Sequence, residues 1–427
     1  MKILFVALRS DDLGLPSRLL PIAAELRARG HAVAFAIPDP APAKLIASAG
    51  FVNLDCPPMY ASGFPKLFAE PTPLVRDYDH FLALLGWCDH EFTAQEIGNC
   101  ASVLRAWGPD IVVDSFDAGW CSAARILGIP YVEILQGDLH PDGRGFTWWL
   151  PPSPAPSPAD AFNAALAQAG LPPADKAARL LLGAATVVAG SPATDPVPDP
   201  ALPHTGALTW GDPAAELPAA IPAPGRRPLI FLYGGKPRYV PGMTIWSDSA
   251  IVLDACSQAL AGLDADVVVG AGHQELPHPL PANFIPLGYA PGQALARRAD
   301  VMIHHGGHGS TLTALAAGTP ALIIPTYSER ESNARRAAAL GAALYLVPGI
   351  QDGGSQHEPG LELVPMMEGR DRELEPELVA DAIATLLEDT HYTNSARAVA
   401  QQLTELPGPD GAADAIEALF SPATGGR

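Results

Sequence analysis

The residues best suited to chemistry lie in one stretch, where histidines precede a run of glycines and a serine. The stretch reads VMIHHGGHGST from Val301 to Thr311. An apolar run typical of a buried strand ends at His304, and a helical pattern begins at Ser310. Glycines let a backbone approach a ligand closely, and the first N–H groups of a helix attract anions. The pattern therefore predicts an anion site, where His305 and Ser310 can donate hydrogen bonds to phosphate oxygens.

A second group of candidates follows apolar runs in the first half of the chain. Asp11 and Asp12 come after the first run, Asp114 ends a later one, and His140 follows another. Each side chain can accept a proton if its surroundings give it a suitable pKa. Solvated loop carboxylates remain an alternative for Asp11 and Asp12, as does a structural hydrogen-bonding role for Asp114.

The three histidines His304, His305 and His308 also raise the question of a metal site. No carboxylate stands at ligand spacing beside them, and no two of the five cysteines are spaced as CxxC. The sequence therefore predicts no metal site. An odd number of unpaired cysteines is typical of reduced thiols in a cytoplasmic protein.

The composition indicates which classes of binding partner the chain can have. The chain has 427 residues, 48% of them hydrophobic, and a formal net charge of -20. Such an acidic chain repels phosphate backbones and anionic lipid, which excludes nucleic acid and membrane surfaces as general partners. Neither a signal peptide nor an apolar run long enough to span a bilayer is expected, so we predict a cytoplasmic location.

Strand and helix patterns alternate through both halves of the chain. The predicted strands are Ile3–Leu8, Val33–Ile37, Ile111–Val113, Tyr131–Leu135 and Thr186–Ala189, then Leu229–Tyr233, Ala265–Gly270, Asn283–Pro286, Val301–His304 and Ala321–Pro325. The predicted helices are Leu19–Arg29, Trp120–Leu127, Ser249–Leu260, Gly292–Arg298, Ser310–Ala317, Ser332–Leu340, Glu375–Leu387 and Asn394–Leu403. The Gly-rich residues 349–373 are expected to form a surface loop. This alternation predicts an α/β fold with two facing Rossmann-like domains, mostly parallel doubly wound sheets and a ligand cleft between them.

A longer pattern surrounds the anion site. It consists of His305-Gly306-Gly307-His308-Gly309-Ser310, Gly318-Thr319-Pro320, Glu329-Arg330 and Asn333-Ala334. In type and spacing these residues resemble the donor-site signature of two-domain (GT-B) nucleotide-sugar glycosyltransferases, which include bacterial antibiotic and natural-product enzymes and plant secondary-metabolite enzymes. The resemblance implies sugar transfer from a nucleotide donor, such as a UDP- or dTDP-sugar, to a small-molecule acceptor. It also implies no metal or other cofactor and, usually, inversion at the anomeric carbon.

The resemblance also assigns roles to individual residues. His305 would contact the diphosphate, and Glu329 and Arg330 would face the sugar. The remaining donor-site residues are those that cradle the phosphates, Gly307, Gly309, Ser310, Gly234 and Gly235, and those that hold the base, Tyr289 by stacking and Ala290 by its backbone. The implied division is an acceptor-binding domain at 1–205, a proline-rich linker at 206–228, a donor-binding domain at 229–405 and a C-terminal helix and tail at 406–427.

The chain departs from the family at the catalytic base. Relatives usually carry a histidine where Leu15 stands, and leucine cannot accept a proton. We therefore expect the base to be Asp12, with Asp11 and Asp114 next and His140 after them. Arg330 also replaces the usual glutamine of the sugar-binding pair, which points to an unusual or acidic sugar.

Two other functions stay open at this point. The loss of the usual base is compatible with a non-catalytic nucleotide-sugar-binding protein, and the architecture is compatible with a nucleotide-sugar epimerase. Trp148 and Trp149 can line an acceptor pocket or fix a loop. The oligomeric state does not follow from the sequence.

Overall fold

The computed structural model describes most of the chain, namely residues 1–10, 13–66, 74–212, 214–225, 227–235, 249–271, 276, 278–288, 290–348 and 374–420. The surface loop predicted at 349–373 lies outside the described residues. The strands of the first half are β1 (Lys2–Ala7), β2 (Ala32–Phe35), β3 (Val52–Asn53), β4 (Ile111–Ser115), β5 (Tyr131–Leu135) and β6 (Ala185–Val188). Those of the second half are β7 (Leu229–Tyr233), β8 (Asp266–Gly270), β9 (Phe284–Leu287), β10 (Val301–His304), β11 (Ala321–Ile323) and β12 (Ala343–Tyr345).

Each half is built on one parallel six-stranded sheet. The strand orders are β3-β2-β1-β4-β5-β6 and β9-β8-β7-β10-β11-β12. Counted from its own first strand, each sheet has the order 3-2-1-4-5-6 that is typical of dinucleotide-binding folds. The order reverses between β1 and β4 and between β7 and β10, and a crevice opens there at the carboxyl ends of the strands. The predicted pair of doubly wound sheets is confirmed.

The helices cover both faces of the sheets. They are α1 (Gly14–Ala28), α2 (Pro40–Ser48), α3 (Tyr78–Leu84), α4 (His90–Trp107), α5 (Ala118–Leu127), α6 (Ala159–Gln168), α7 (Ser249–Ala259), α8 (Gly292–Arg298), α9 (His308–Ala317), α10 (Ser328–Ala339), α11 (Pro376–Glu388), α12 (Thr390–Thr404) and α13 (Gly408–Ala418). Because helices pack on both faces, the strands are buried on both sides, and β1 is fully buried from Ile3 to Ala7. Among the described residues, no helix has the length and apolar character needed to cross a bilayer.

Several helices begin earlier than their apolar spacing predicts, and two of them bear on the cavity. α1 begins at Gly14 rather than Leu19 and accommodates Pro16 in its first turn, where an N–H group has no helical partner. α10 begins at Ser328 rather than Ser332, because its first turn is polar but buried. The earlier start places Glu329 in the first turn of a helix.

The last helix returns to the first half. On α13, Ala412 and Ile416 are buried in the core that also contains β1 and α1. Arg29 at the end of α1 donates to Asp414 at 2.6 Å and to Glu417 at 2.8 Å. By its packing, the C-terminal helix is therefore part of the N-terminal half.

A polar contact joins the two halves beside the cleft. Asp138, after β5, accepts a hydrogen bond from Arg336 Nη1 at 2.8 Å and from Ser332 Oγ at 2.6 Å, both on α10. Trp148 Nε1 also donates to Ser332 Oγ at 2.9 Å, and Trp149 is buried in the core of the second half. The two tryptophans therefore fix a segment of the first half onto the second half.

Candidate active site

A cavity of about 510 Å³ lies between the carboxyl ends of the two sheets. From the second half it is lined by the turn after β10 and the start of α9, and by Tyr233, Tyr327, Glu329 and Arg330. From the first half it is lined by residues that follow β1, β2, β4 and β5, by the first turns of α1, and by aromatic side chains. The cavity therefore has one wall from each half, as the predicted cleft requires.

The turn between β10 and α9 depends on its glycines. Gly306 has φ +85°, and a Cβ there would lie 2.7 Å from the carbonyl oxygen of Arg330. A Cβ on Gly307 would lie 2.5 Å from His305 Nε2. A Cβ on Gly309 would meet no atom within 4 Å. The first two glycines are therefore needed for the fold of the turn, while Gly309 leaves open space at the start of the helix.

Side chains of the second half hold this turn in place. Asn333 Nδ2 donates to the carbonyl oxygen of Gly306 at 2.9 Å, and Thr311 Oγ1 donates to that of Gly307 at 3.1 Å. The residue before α9 is Gly307, so no side chain caps the helix. The first N–H groups of α9, which include that of Ser310, can therefore serve an anion in the cavity.

His305 lines the cavity beside this turn, and only 8% of it is exposed. Its ring lies against Tyr233, with 5.8 Å between centroids and an interplanar angle of 74°. Burial, the Arg330 guanidinium and His304 lower the pKa of His305 well below its usual range. The imidazole is therefore neutral at pH 7 and can offer one N–H to a phosphate oxygen.

His308, the first residue of α9, bridges the two halves. Arg18 Nη2 of α1 donates to its Nδ1 at 2.8 Å, and its Nε2 lies 2.9 Å from Asp195 Oδ1. Because arginine can only donate, Nδ1 must accept, so the proton is on Nε2 and points to Asp195. No local sequence pattern predicts this contact, since Arg18 and Asp195 belong to distant segments.

The predicted sugar pair lies at the start of α10. Glu329 Oε1 accepts hydrogen bonds from Gln136 Nε2 and Asn333 Nδ2, both at 2.9 Å. Arg330 donates to Thr326 Oγ1 at 2.8 Å, and its guanidinium lies over the Tyr327 ring. Gln136 lies after β5 in the first half and also lines the cavity. A residue of the other half therefore reaches the predicted sugar site, which the sequence motif did not reveal.

The other predicted donor residues flank the same wall. Gly235 has φ +95°, and a Cβ there would lie 3.1 Å from the His305 ring, so the turn after β7, with Gly234, packs directly on His305. Ala290 is partly buried two residues before α8. Tyr289, the predicted stacking residue, lies outside the described residues.

Of the four candidate bases, the structure describes Asp114 and His140. Asp11 and Asp12 lie outside the described residues, but Ser10 and Gly14, which flank them in sequence, line the cavity. Leu15, at the family's histidine position, also lines it. His140 is buried, accepts a hydrogen bond from the backbone N–H of Asp142, and is absent from the described lining. Burial lowers its pKa.

Asp114 is fully buried beneath the cavity wall rather than in it. Its Oδ2 accepts a hydrogen bond from the backbone N–H of Asp117 at 2.9 Å. The neighbouring Glu133, also fully buried, accepts one from the N–H of Phe116 at 3.0 Å. Phe116 has φ +80°, which is strained for a side chain of this size, and its ring lines the cavity. The two carboxyl groups therefore stabilise the turn that presents Phe116.

These two acids and Cys121 form a compact buried cluster, with potential ligand atoms all within 4.8 Å of one another. Burial raises the pKa of Asp114 and Cys121 well above the usual range, with Glu133 adding to the effect on Asp114. Burial also raises the pKa of Glu133 to about 7. These shifts mean that the three groups hold protons when no cation is bound.

The first-half wall is mostly apolar. Its apolar lining residues come from several segments, namely Leu8, Leu15, Met59, Tyr60, Phe81, Leu85, Phe116 and Phe146. Trp148 and Trp149 are not among the described lining residues. This wall suits an apolar ring system, whereas the second-half wall suits an anion.

Comparison with known proteins agrees with this geometry. Residues 254–358 match the family model described as erythromycin biosynthesis protein CIII-like, C-terminal domain. The chain is 26% identical to the L-demethylnoviosyl transferase of Streptomyces niveus, over 81% of this chain and 85% of that one. It is also 26% identical to the elloramycin glycosyltransferase ElmGT of Streptomyces olivaceus, over 98% of each chain.

Solved structures show the same fold. The calicheamicin glycosyltransferase CalG4 superposes with a TM-score of 0.70 at 20% identity, over 99% of each chain. The glycosyltransferase VinC, solved in complex with dTDP, gives a TM-score of 0.67 at 21% identity, over 98% of this chain and 99% of that one.

This chain is a glycosyltransferase with the two-domain (GT-B) fold. The resemblance read from His305 to Ala334 is thereby confirmed, and the cavity between the two sheets is the candidate site of this glycosyltransferase. The roles of the individual residues remain predictions.

Proposed function

We propose that this glycosyltransferase moves a sugar from a UDP- or dTDP-sugar to a hydroxylated small molecule of the natural-product kind. The nucleotide sugar would occupy the second-half wall, with residues 229–405 as the donor domain. The acceptor would occupy the apolar first-half wall, with residues 1–205 as its domain. The observation that carries the proposal is the uncapped start of α9, which faces the cavity beside His305.

The second-half wall offers what a diphosphate needs without a metal. The N–H groups at the start of α9 carry the positive end of the helix dipole, and His305 and Ser310 add neutral donors. Arg330 lies in the same wall and supplies a positive charge. These groups can stabilise the charge that develops on the departing nucleoside diphosphate.

The transfer itself is a displacement at the anomeric carbon. The acceptor hydroxyl oxygen forms a bond to that carbon while the bond to the β-phosphate oxygen breaks. The nucleoside diphosphate leaves with the bonding electron pair, and the hydroxyl proton passes to a base. Attack from the face opposite the leaving group inverts the anomeric centre, and the two facing walls suit this arrangement.

Asp12 is the base that we propose. Ser10 and Gly14 on either side of its loop line the cavity, whereas Asp114 and His140 are buried away from the described lining. Asp11 is the next candidate, from the same loop. Glu329, whose Oε1 is held by Gln136 and Asn333, is proposed to accept hydrogen bonds from sugar hydroxyls through its other oxygen.

Turnover assays with purified protein test the proposed function. UDP- and dTDP-sugars are supplied with and without a panel of polycyclic phenols, and products are identified by mass spectrometry. We expect a glycosylated phenol and free nucleoside diphosphate only when both substrates are present. A changed sugar nucleotide from the donor alone would instead indicate an epimerase, and binding of the donor without any product would indicate a binding protein.

A further inference from the structure

Some of the buried polar atoms without hydrogen-bond partners belong to residues at or behind the first-half wall of the cavity. Among them are atoms of Arg9 after β1, Asp39 after β2, Glu96 on α4 and Asp117 before α5, and we name these four residues the acceptor-side cluster. Arg9 and Asp39 both line the cavity. Buried polar groups nearly always have partners, so a group of such atoms beside a cavity calls for a physical explanation.

Arg9 is held at the centre of this cluster by two carboxylates. Its Nη1 lies 2.5 Å from Glu96 Oε2, and its Nε lies 3.7 Å from Asp117 Oδ2. The side chain is 1% exposed. These ion pairs fix the guanidinium in place, but its Nη2 has no hydrogen-bond partner among the described residues.

Asp39 follows β2, the strand that pairs with β1, and the Arg9 charge acts on its carboxyl group. Both residues line the same cavity wall. Within the described part of the chain, no ion pair of Asp39 is found, and its Oδ2 has no hydrogen-bond partner. A donor atom without a partner, Arg9 Nη2, and an acceptor atom without a partner, Asp39 Oδ2, therefore belong to two residues of one cavity wall.

We propose that Arg9 and Asp39 form a subsite for a neutral hydroxyl group of the acceptor, distinct from the hydroxyl that receives the sugar. This inference rests on the proposed function, since it concerns the acceptor of that reaction. A hydroxyl both donates and accepts, so it can satisfy Asp39 and Arg9 together. Three carboxylates surround a single guanidinium here, so an anionic acceptor group is disfavoured.

The residues that line the cavity together with the acceptor-side cluster indicate the chemical character of the rest of the acceptor. Met59, Tyr60, Phe81 and Leu85 line the same cavity as apolar and aromatic surface. The proposed subsite therefore selects a ring system that is apolar over most of its surface and carries one hydroxyl group toward Arg9 and Asp39.

Two probes of equal shape test the subsite without any transfer reaction. Binding of 2-naphthol and of 2-methylnaphthalene, which differ by a hydroxyl and a methyl group, is measured calorimetrically with saturating dTDP. We expect the wild type to bind 2-naphthol about tenfold or more tightly, because a hydrogen bond to a charged group is lost with the methyl compound. Asp39→Leu, which is similar in size, should abolish this preference, and Asp39→Asn should retain part of it.

The control is Asp55→Leu, which removes an exposed carboxylate from the same half, outside the cavity. It should leave the preference unchanged, and melting temperatures show whether each variant is folded. Equal affinity of the wild type for both probes would overturn the subsite, as would an unchanged preference in Asp39→Leu. Titration with dTDP alone is read separately, so a failure of the donor site is distinguished from a failure of this subsite.

Discussion

The two walls of the cavity satisfy their polar groups in different ways. In the second-half wall, Asn333 and Thr311 hold the glycine turn, and Gln136 and Asn333 hold Glu329. In the first-half wall, Arg9 is buried and Asp39 is half-buried, and each has a polar atom without a hydrogen-bond partner among the described residues. The second-half wall fixes its turn and Glu329 before any ligand binds but leaves the N–H groups at the start of α9 for an anion, which suits an invariant diphosphate. The first-half wall leaves hydrogen-bond partners for the ligand to supply, which suits selective binding of an acceptor.

The largest effect is expected from a change of Asp12, the proposed base. Replacing Asp12 by Asn keeps the size of the side chain but removes the basic oxygen, so turnover should fall at least about a hundredfold. Affinity for dTDP should not change, because the donor lies on the other wall. Turnover and calorimetric titration measure the two quantities, with Asp55→Asn as the matched control. Near-normal turnover of Asp12→Asn would transfer the role to Asp11.

The second effect concerns the donor wall. His305→Ala should weaken dTDP binding about ten- to a hundredfold, because one hydrogen bond to a charged phosphate is lost. The control His278→Ala removes a histidine of the same half that does not line the cavity and bonds to Asp254 instead. Equal affinities of the wild type and His305→Ala by calorimetry would show that the diphosphate is bound elsewhere.

The sequence predicted much of the second-half wall, which we assign to the donor, and little of the first-half wall, which we assign to the acceptor. The reason is physical. Most of the predicted donor site lies in one continuous stretch, where the glycines, Ser310 and Asn333 keep a fixed spacing along a strand, turn and helix. The acceptor wall gathers Arg9, Asp39 and Phe116 from the ends of different strands, so no local spacing connects them. Even the contact of Gln136 with Glu329 requires both halves to be placed together before it can be predicted.

The third prediction concerns Glu133, a buried acid of the first half to which we assign a structural role. Burial raises the pKa of Glu133 from its ordinary value of 4.5 to about 7, so the folded state binds more protons than the unfolded state between these values. Stability from this group is present below about pH 4.5 and is lost as the pH rises through 7, by at most about 1.4 kcal/mol per pH unit.

Glu133→Gln stays neutral at every pH and can still accept from the N–H of Phe116. Its melting temperature should therefore fall less than that of the wild type between pH 5 and pH 8. Identical changes in the two proteins would show that Glu133 is ionised in the folded state throughout this range.

The smallest expected effect is that of chelation. Because the start of α9, His305 and Arg330 can carry the diphosphate charge, turnover should be unchanged in excess chelator. Assays with and without chelator, and with added Mg²⁺, measure this directly. Loss of turnover that Mg²⁺ restores would mean that the protein groups of the donor wall do not suffice.

The most direct test of the account is a crystal structure of the protein with dTDP bound. The account predicts the β-phosphate at the start of α9, within hydrogen-bond distance of the N–H groups near Gly309 and Ser310 and of the His305 ring. A diphosphate bound on the first-half wall, or one away from the turn between β10 and α9, would contradict the assignment of the two walls.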